Sequence, residues 1–397
     1  MAVRDVIEQD LINVSEVLRE SYLPIFKNAV NTEASPFLQK IKKKPLTAEK
    51  AVSGSRIGID GGFGMSSERF KTPDANAPVY SAFTATSKDA YVEMHISQKA
   101  LLLARSAPQS MVDALMDQID ASREAAVWNT GRMLFGDGTG VLAKVVGGET
   151  GTNQLKVDDL TNLIVGLSID VYANGSETAG DTAVQIRGID FATKTLTLSK
   201  NLTKTYTAGF ITTQNSYNRE ITGLKTIFDP TVTHIYGLAK AQNPILVPYT
   251  VDAKGEVDDM IISNAVSVAH RRSQAKIDMI LCGESAFRAY EEYMHSSQHV
   301  VVEKQKYVGG AVGYKVITGK QETEIVMEPF VPANKMWGVD TSAFELHETG
   351  WDFATHKSSV FNLIPGTAVY RALLANYMEL ICRHPGGCIE ITNAASA

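Results

Sequence analysis

The sequence predicts an α+β fold, and three observations carry the prediction. Residues 108–135 place apolar side chains at three- and four-residue spacing over the length of a long helix. Residues 155–215 are rich in β-branched residues, with turn signals roughly every 8 to 12 positions. Beyond them, helix and strand patterns mix with no regular βα alternation. A chain of 397 residues, 44% hydrophobic and 21% charged, is long enough for more than one core.

In order along the chain, Val6, Ile7, Leu11, Val14, Val17 and Leu18 form one apolar stripe, which predicts an amphipathic helix over residues 3 to about 23. After Pro24 come Ile25, Phe26, Pro36, Phe37, Leu38 and Ile41, and then the basic run Lys40, Lys42, Lys43 and Lys44, closed by Pro45. This is an arm, helical at first and then extended. Residues 53–83, glycine-rich with too little apolar content for a core of their own, make a loop too long for an isolated compact domain. The alternating flanks Ser55–Ile59 and Tyr91–Ile96 ("YVEMHI") predict a long two-stranded ribbon around it. Such a ribbon needs a neighbouring subunit to lie on.

Pro108 suits the first turn of the following helix, and Asp113 and Asp117 suit its dipole. At 1.5 Å per residue the helix is a rod of roughly 42 Å. The stretch 155–215 reads as a small antiparallel sheet or barrel, with turns at Asn174-Gly175, Ala179-Gly180-Asp181 and Ala192-Thr193-Lys194. Then follow a helix from Glu256 to about Ala275, a buried strand over 276–282 and a helix from Glu284 to Gln298. Short strands are expected at 314–318, 324–327 and 335–339, and the end is β-compatible, with a turn at Pro385-Gly386-Gly387.

The formal net charge of -6, from 38 basic and 44 acidic residues, lacks the positive field of a protein that grips nucleic acid by its phosphates. Cys282, Cys382 and Cys388 form no CxxC pair, so neither a zinc framework nor a disulfide scaffold is indicated. The charged N-terminus has no signal-peptide core, and no apolar run is long enough to span a membrane.

The glycines of "MLFGDGTGVLA" (133–143) raise the question of a phosphate loop. A Walker loop needs a lysine followed by a hydroxyl, and neither stands in place. A dinucleotide fingerprint needs a third glycine where Val141 stands and a helix after the loop; here the helix comes before it and presents its negative end. Gly136, Gly138 and Gly140 are therefore read as a structural helix stop, one of them taking a left-handed backbone. His295 and His299 are spaced like a metal pair, but no HExxH glutamate or third ligand accompanies them, and a solvated helix face is the plainer reading. The "HRR" at 270–272 reads as a helix end and the "RHP" at 383–385 as a strand end. Carboxylate pairs such as Asp158-Asp159, Asp258-Asp259 and Glu291-Glu292 are adjacent rather than convergent. No serine lies in GxSxG, and no catalytic, cofactor-binding or metal residues are expected. The lysine run is either a solvated segment or a surface that meets an acidic neighbour or polyanion.

The order of arm, glycine-rich ribbon, long helix, β module and mixed remainder resembles the major capsid proteins of tailed bacteriophages with the HK97-like fold. So do "GRMLFGDGTGVLA" (131–143), "ITGL" (221–224) and "IYGLAKAQNPILVP" (235–248). The resemblance in order and length covers the whole chain. It implies an N-terminal arm (1–52), an extended E-loop (53–90) and a peripheral domain (91–154) carrying the spine helix (108–135). An inserted β-barrel-like module (155–215), a return to the peripheral domain (216–249), an axial domain (250–370) and C-terminal peripheral strands and tail (371–397) would follow. The implied function is structural: hexamers and pentamers close into an icosahedral shell around double-stranded DNA, held without sequence-specific binding. The shell would assemble in the host bacterial cytoplasm, with no membrane and no cofactor.

A portal, a separate scaffolding protein and a decoration protein are the further partners implied. The scaffold is expected to be separate because the cleaved scaffolding segment of some relatives does not precede the arm. Arg56, Glu68, Arg69 and Lys71 in the ribbon, with Lys42, Lys43 and Lys44, are the candidate contacts between subunits. Some relatives crosslink subunits through a lysine and an asparagine; the presence of Lys71 and Asn76 does not by itself carry that chemistry over. Mild acidity suits an inner wall that must let DNA slide. Two alternatives stay open: an encapsulin-like compartment around protein cargo, and an α+β enzyme with an unrecognised site.

Overall fold

A computed structural model of the chain describes residues 12, 15–16, 18–56, 63–65, 67–68, 80–99, 108–296, 304–306, 312–318, 321–355 and 359–395. The chain forms two compact units, Met1–Thr130 with Ile227–Ala397, and Gly131–Thr226.

In the first unit, a π-helical turn over Leu18–Tyr22 runs straight into the helix Leu23–Glu33. Pro24 lies in the first turn of that helix, where a missing N–H costs nothing, so it does not mark the helix end placed near residue 23 by the sequence pattern. Leu18, Tyr22, Phe26 and Val30, four apart, are buried against Met94, Ile96, Trp351, Phe353 and Ile119. Phe26 meets Trp351 edge-on at 5.4 Å, and the Tyr22 hydroxyl donates to the Ile119 carbonyl at 2.8 Å. Each such buried side chain contributes about 1.5–3 kcal/mol of transfer free energy.

Ser35 caps the short helix Pro36–Lys40 by accepting from the Phe37 N–H. Strands β1 (Lys42–Pro45), β2 (Lys50–Arg56), β3 (Tyr80–Thr86) and β4 (Lys88–Ser97) follow. The ribbon is β2 with β3, in register from Lys50 opposite Thr86 to Arg56 opposite Tyr80. This corrects the expected pairing: "YVEMHI" lies in β4, which pairs with residues 369–378 instead. The reason is burial, since Met94 and Ile96 face the core on alternate positions and a free ribbon would leave them in water. The spine helix spans Pro108–Phe135.

The second unit is a closed barrel of β5 (Val141–Gly147), β6 (Gln154–Val157), β7 (Ser168–Ala173), β8 (Ala179–Asp190), β9 (Thr195–Leu198) and β10 (Gly209–Thr213), ordered β10-β5-β6-β9-β8-β7. Leu155, Val157, Ile169, Val171, Ile186, Leu196 and Ile211 fill its interior. Its first strand begins at Val141, upstream of the module start read at 155. The turn expected at Ala179-Gly180-Asp181 is instead the beginning of β8. Gly180 is there for space, because a Cβ would lie 2.3 Å from the Tyr206 hydroxyl. That hydroxyl donates to Asp181 at 2.7 Å, and Asp181 also accepts from the Thr203 N–H and hydroxyl.

Back in the first unit, β11 (His234–Ile235) and β12 (Leu238–Ala239) form a tight hairpin. After it come β13 (Tyr249–Asp252), a helix Asp259–Ser273 capped by Asp258, β14 (Met279–Cys282) and a helix Glu284–Ser296. Strands β15 (Lys304–Lys306), β16 (Val312–Thr318), β17 (Gln321–Met327), β18 (Met336–Val339), β19 (Phe344–Glu348), β20 (Asp352–Phe353), β21 (Phe361–Leu363), β22 (Val369–Cys382) and β23 (Ile389–Thr392) complete the chain. A seven-stranded sheet runs β13-β23-β18-β14-β17-β16-β15, and the two helices bury Ile262, Val266, Ala269, Phe287 and Tyr290 in its core. β22 organises the other, six-stranded sheet by pairing with β4, β19, β20 and β21, while β1 adds in parallel to β19.

Candidate assembly surface

The basic run folds as β1, parallel to β19, with Lys43 opposite Leu346 and Lys44 opposite His347. Its neighbours supply the acids. Lys40 pairs with Glu324 at 2.6 Å, Lys43 with Glu348 at 3.2 Å and Lys44 with Glu345 at 2.8 Å. Lys43 also donates to the Asn31 carboxamide oxygen, and Lys42 is exposed. Of the two readings of this run, an acidic neighbour is the one with contacts on show, and that neighbour is the chain itself.

Glu345 is the centre of this site. Its carboxylate is 1% exposed and reaches two cations, Lys44 and Arg383 (Nε at 2.9 Å from Oε1), with the His347 ring nitrogen Nε2 at 3.6 Å from Oε2. The hydroxyl of Ser53, in the ribbon, donates to Oε2 at 3.1 Å. Burial alone would push the Glu345 carboxyl up; the Lys44 hydrogen bond, the Arg383 charge and the Ser53 hydroxyl outweigh it and hold the group below its ordinary range. Burial pushes the His347 imidazole down, against the pull of Glu345.

The ribbon root has a second, apolar hold. Ala51, Ser53 and Phe83 are buried on one face, and the Phe83 ring stacks on Tyr236 at 5.6 Å. Tyr236 and Gly237 are the hairpin turn between β11 and β12, with φ of 51° and 82°. A left-handed backbone is costly for an aromatic residue. Here it points the Tyr236 ring under the ribbon, where its hydroxyl accepts from the Cys382 N–H at 2.9 Å. This gives "IYGLA" a physical role that composition did not reveal. On the other face Val52 and Tyr80 are more than half exposed, as are Phe63 and Met65 beyond the described ends of the two strands. Among the contact candidates, Glu68 is exposed, the Arg56 backbone pairs with Tyr80, and Arg69, Lys71 and the Arg56 side chain lie outside the described residues.

In the barrel unit, the glycine stop packs on residues 216–225. Gly138 and Gly140 have φ of 82° and 75°, and a Cβ on Gly140 would lie 2.7 Å from the Ser216 carbonyl. The Thr139 N–H is taken by Asp137 Oδ1 at 3.0 Å, and the other Asp137 oxygen accepts from Lys225 at 2.9 Å. The loop is filled by the chain's own groups rather than shaped around a phosphate. Gly223, in "ITGL", sits against the helix end: a Cβ there would lie 2.6 Å from the carbonyl oxygens of Met133 and Gly136. Arg132 and Glu220, each 5% exposed, make a two-pronged ion pair at 2.5 and 2.9 Å beside this junction.

The other candidates have structural surroundings. Arg272 covers the Tyr249 ring, His270 contacts the Ala275 carbonyl, and the three cysteines are buried free thiols. His299 lies outside the described residues. Among the described residues no three His, Cys, Asp or Glu side chains converge as a metal site, and no helix is long and apolar enough to cross a membrane.

No family model matches the sequence, and no curated protein matches it. In structure the chain is similar to the cyanophage A-1(L) capsid asymmetric unit, with a TM-score of 0.54 at 10% identity, covering 92% of this chain and 94% of that one. The capsid of the native GTA particle matches with a TM-score of 0.46 at 10% identity, covering 91% of this chain and 90% of that one. The holo-SrpI encapsulin complex from Synechococcus elongatus PCC 7942 matches with a TM-score of 0.45 at 8% identity, covering 91% and 88%. The first of these similarities runs nearly the full length of both chains: the fold is the HK97-like capsid fold that the sequence resemblance implied, with a closed six-stranded barrel inserted.

Proposed function

We propose that the chain is the repeating subunit of an icosahedral shell, the major capsid protein of a tailed phage. It builds hexamers and pentamers around double-stranded DNA, works with a portal, a separate scaffolding protein and a decoration protein, and is a structural protein rather than an enzyme. It belongs to the virion and assembles in the host cytoplasm.

The observation that carries this reading is the ribbon, on a fold matched over 92% of its length by a cyanophage capsid chain. Its root is fastened by buried contacts of its own chain, while Val52, Tyr80, Phe63 and Met65 present apolar surface outward. Apolar surface on a ribbon is what a neighbouring copy covers when shells close through many modest heterologous contacts.

Electron microscopy of the purified protein, alone and with its scaffold, tests the reading. Closed shells or capsomer rings are expected; a stable monomer at every concentration, with or without scaffold, overturns it. Deleting residues 58–78 should leave a folded, soluble subunit that builds no shell, and particles of normal size would refute the role given to the ribbon. Enclosed DNA supports a phage shell, whereas a co-purifying enzyme cargo supports the encapsulin-like alternative.

A further inference from the structure

The last strand of the arm and the first of the ribbon follow one another in the chain, and both end on one oxygen atom. Lys44 of β1 and Ser53 of β2 meet Oε2 of Glu345, at 2.8 and 3.1 Å. Arg383 holds the other oxygen at 2.9 Å. Two cations on opposite oxygens fix the plane of the carboxylate, and that plane decides whether Oε2 lies within reach of the Ser53 hydroxyl. Serine at position 53 is the ribbon's polar hold within a buried face otherwise formed by Ala51 and Phe83. Lys44 is itself 46% exposed, so a group outside the subunit can reach it, whereas Glu345 is 1% exposed and is approached through its partners.

We propose that Glu345 couples the arm to the ribbon: the Lys44–Glu345 contact holds the ribbon root in place, and drawing Lys44 away releases it. The partner chemistry that would do so is a carboxylate of a second copy of this chain, competing for the Lys44 ammonium. Removing Lys44 leaves Arg383 as the strong hold on Oε1, the carboxylate turns about that contact, and Oε2 leaves Ser53. By thermodynamic reciprocity, loosening Ser53 must weaken the seating of β1 by the same factor. Glu345 is a positioning residue in this scheme, and the scheme gives the shell reading a means by which a contact at the arm reorients the ribbon. Its meaning rests on that reading; the coupling itself does not.

The test is a double-variant cycle in the full-length subunit, with backbone hydrogen exchange read separately at β1 and at the ribbon root. Lys44→Ala should raise exchange not only in β1 but also at Ser53–Arg56 and Tyr80–Phe83, and Ser53→Ala should raise it in β1. The double variant should exchange at least about twofold more slowly than the product of the single effects, because either change alone already breaks the shared contact. A Lys44→Arg variant, which keeps the cation, should restore ribbon protection. Effects confined to each variant's own strand, or effects that multiply independently, overturn the coupling. Shells from wild-type protein together with an additive cycle would leave the shell reading standing and this inference refuted. A coupled cycle in a subunit that never assembles would do the reverse.

Discussion

Gly223→Ala should be among the most damaging single-methyl changes in the barrel unit. A Cβ at this position lies 2.6 Å from the Gly136 and Met133 oxygens and 2.7 Å from the Leu134 oxygen. Carbon–oxygen contacts settle at roughly 3.3–3.6 Å, so the methyl is about 0.7 Å too close to three backbone atoms at once. None of these is the end of a flexible side chain, and all belong to the end of the spine helix or the residue after it. Overpacking costs about 1–3 kcal/mol when side chains can give way, and the upper end applies here.

Gly138→Ala is the natural comparison. Its φ of 82° makes alanine strained by about 1–2 kcal/mol, but the nearest atom outside its immediate chain neighbours is 3.5 Å away, an ordinary contact. For a unit of about 100 residues, 1 kcal/mol moves the melting temperature by about 4–8 °C. Gly223→Ala should therefore lower the barrel transition by about 12–24 °C, and Gly138→Ala by about 4–16 °C. Scanning calorimetry of the full chain measures this, with the barrel transition assigned by hydrogen exchange in β5 and β10. If Gly138→Ala proves the worse of the two, or Gly223→Ala melts like wild type, the close approach at the helix end has been misread.

Further outcomes follow from the buried charges. Glu220→Ala strands the Arg132 guanidinium in a buried site and should destabilise the barrel unit by about 3–5 kcal/mol in the same calorimetric assay; a loss under 1 kcal/mol would mean that the ion pair is not buried in solution. Glu328, which accepts from the Ser35 hydroxyl at 2.8 Å, is pushed up by burial to about 7. A carboxyl raised in the folded state stabilises it below the unfolded value of 4.5, and that contribution is lost as the pH rises through about 7, on the order of 3 kcal/mol in all. Glu328→Gln should flatten that loss and raise the melting temperature at pH 8 relative to wild type, as urea or thermal unfolding at pH 5 and 8 would show. An unchanged pH profile would count against a buried Glu328.

What could be read from the sequence was whatever is local. The spine helix announces itself because each of its apolar positions needs only its own i+3 and i+4 neighbours to form a stripe. The ribbon is half legible: glycines and alternation mark it, but alternation gives a period and not a partner, and the partner of "YVEMHI" is β22, far along the chain. β5, "VLAKVVG", has a single polar residue and no clear alternation, so its place in the barrel is fixed by its partners β6 and β10 rather than by a pattern of its own. Glu345 was missed because its partners come from far along the chain: Lys44 and Ser53 from one side, Arg383 from the other. One signal was present, in that "FELHE" places Glu345 and His347 two apart, so both share a face of the strand and find partners there. Gly223 and Tyr236 lie in segments whose resemblance to capsid proteins was visible, yet their roles depend on close approaches that residue types do not encode.

The division of the chain into a barrel formed from one continuous stretch and a body formed from both ends fixes an order of events during synthesis. Every strand of the barrel exists once β10 has left the ribosome, whereas β4 must wait for β22. At about 5–20 residues per second, making the stretch after the barrel takes roughly 10–35 s. For that interval β4 lacks the strand it pairs with and Lys44 and Ser53 lack Glu345, while every strand of the barrel is already made. The insertion thus draws its strands from one continuous stretch, whereas the sheet that seats the arm and the ribbon root is completed only once β22 has been made.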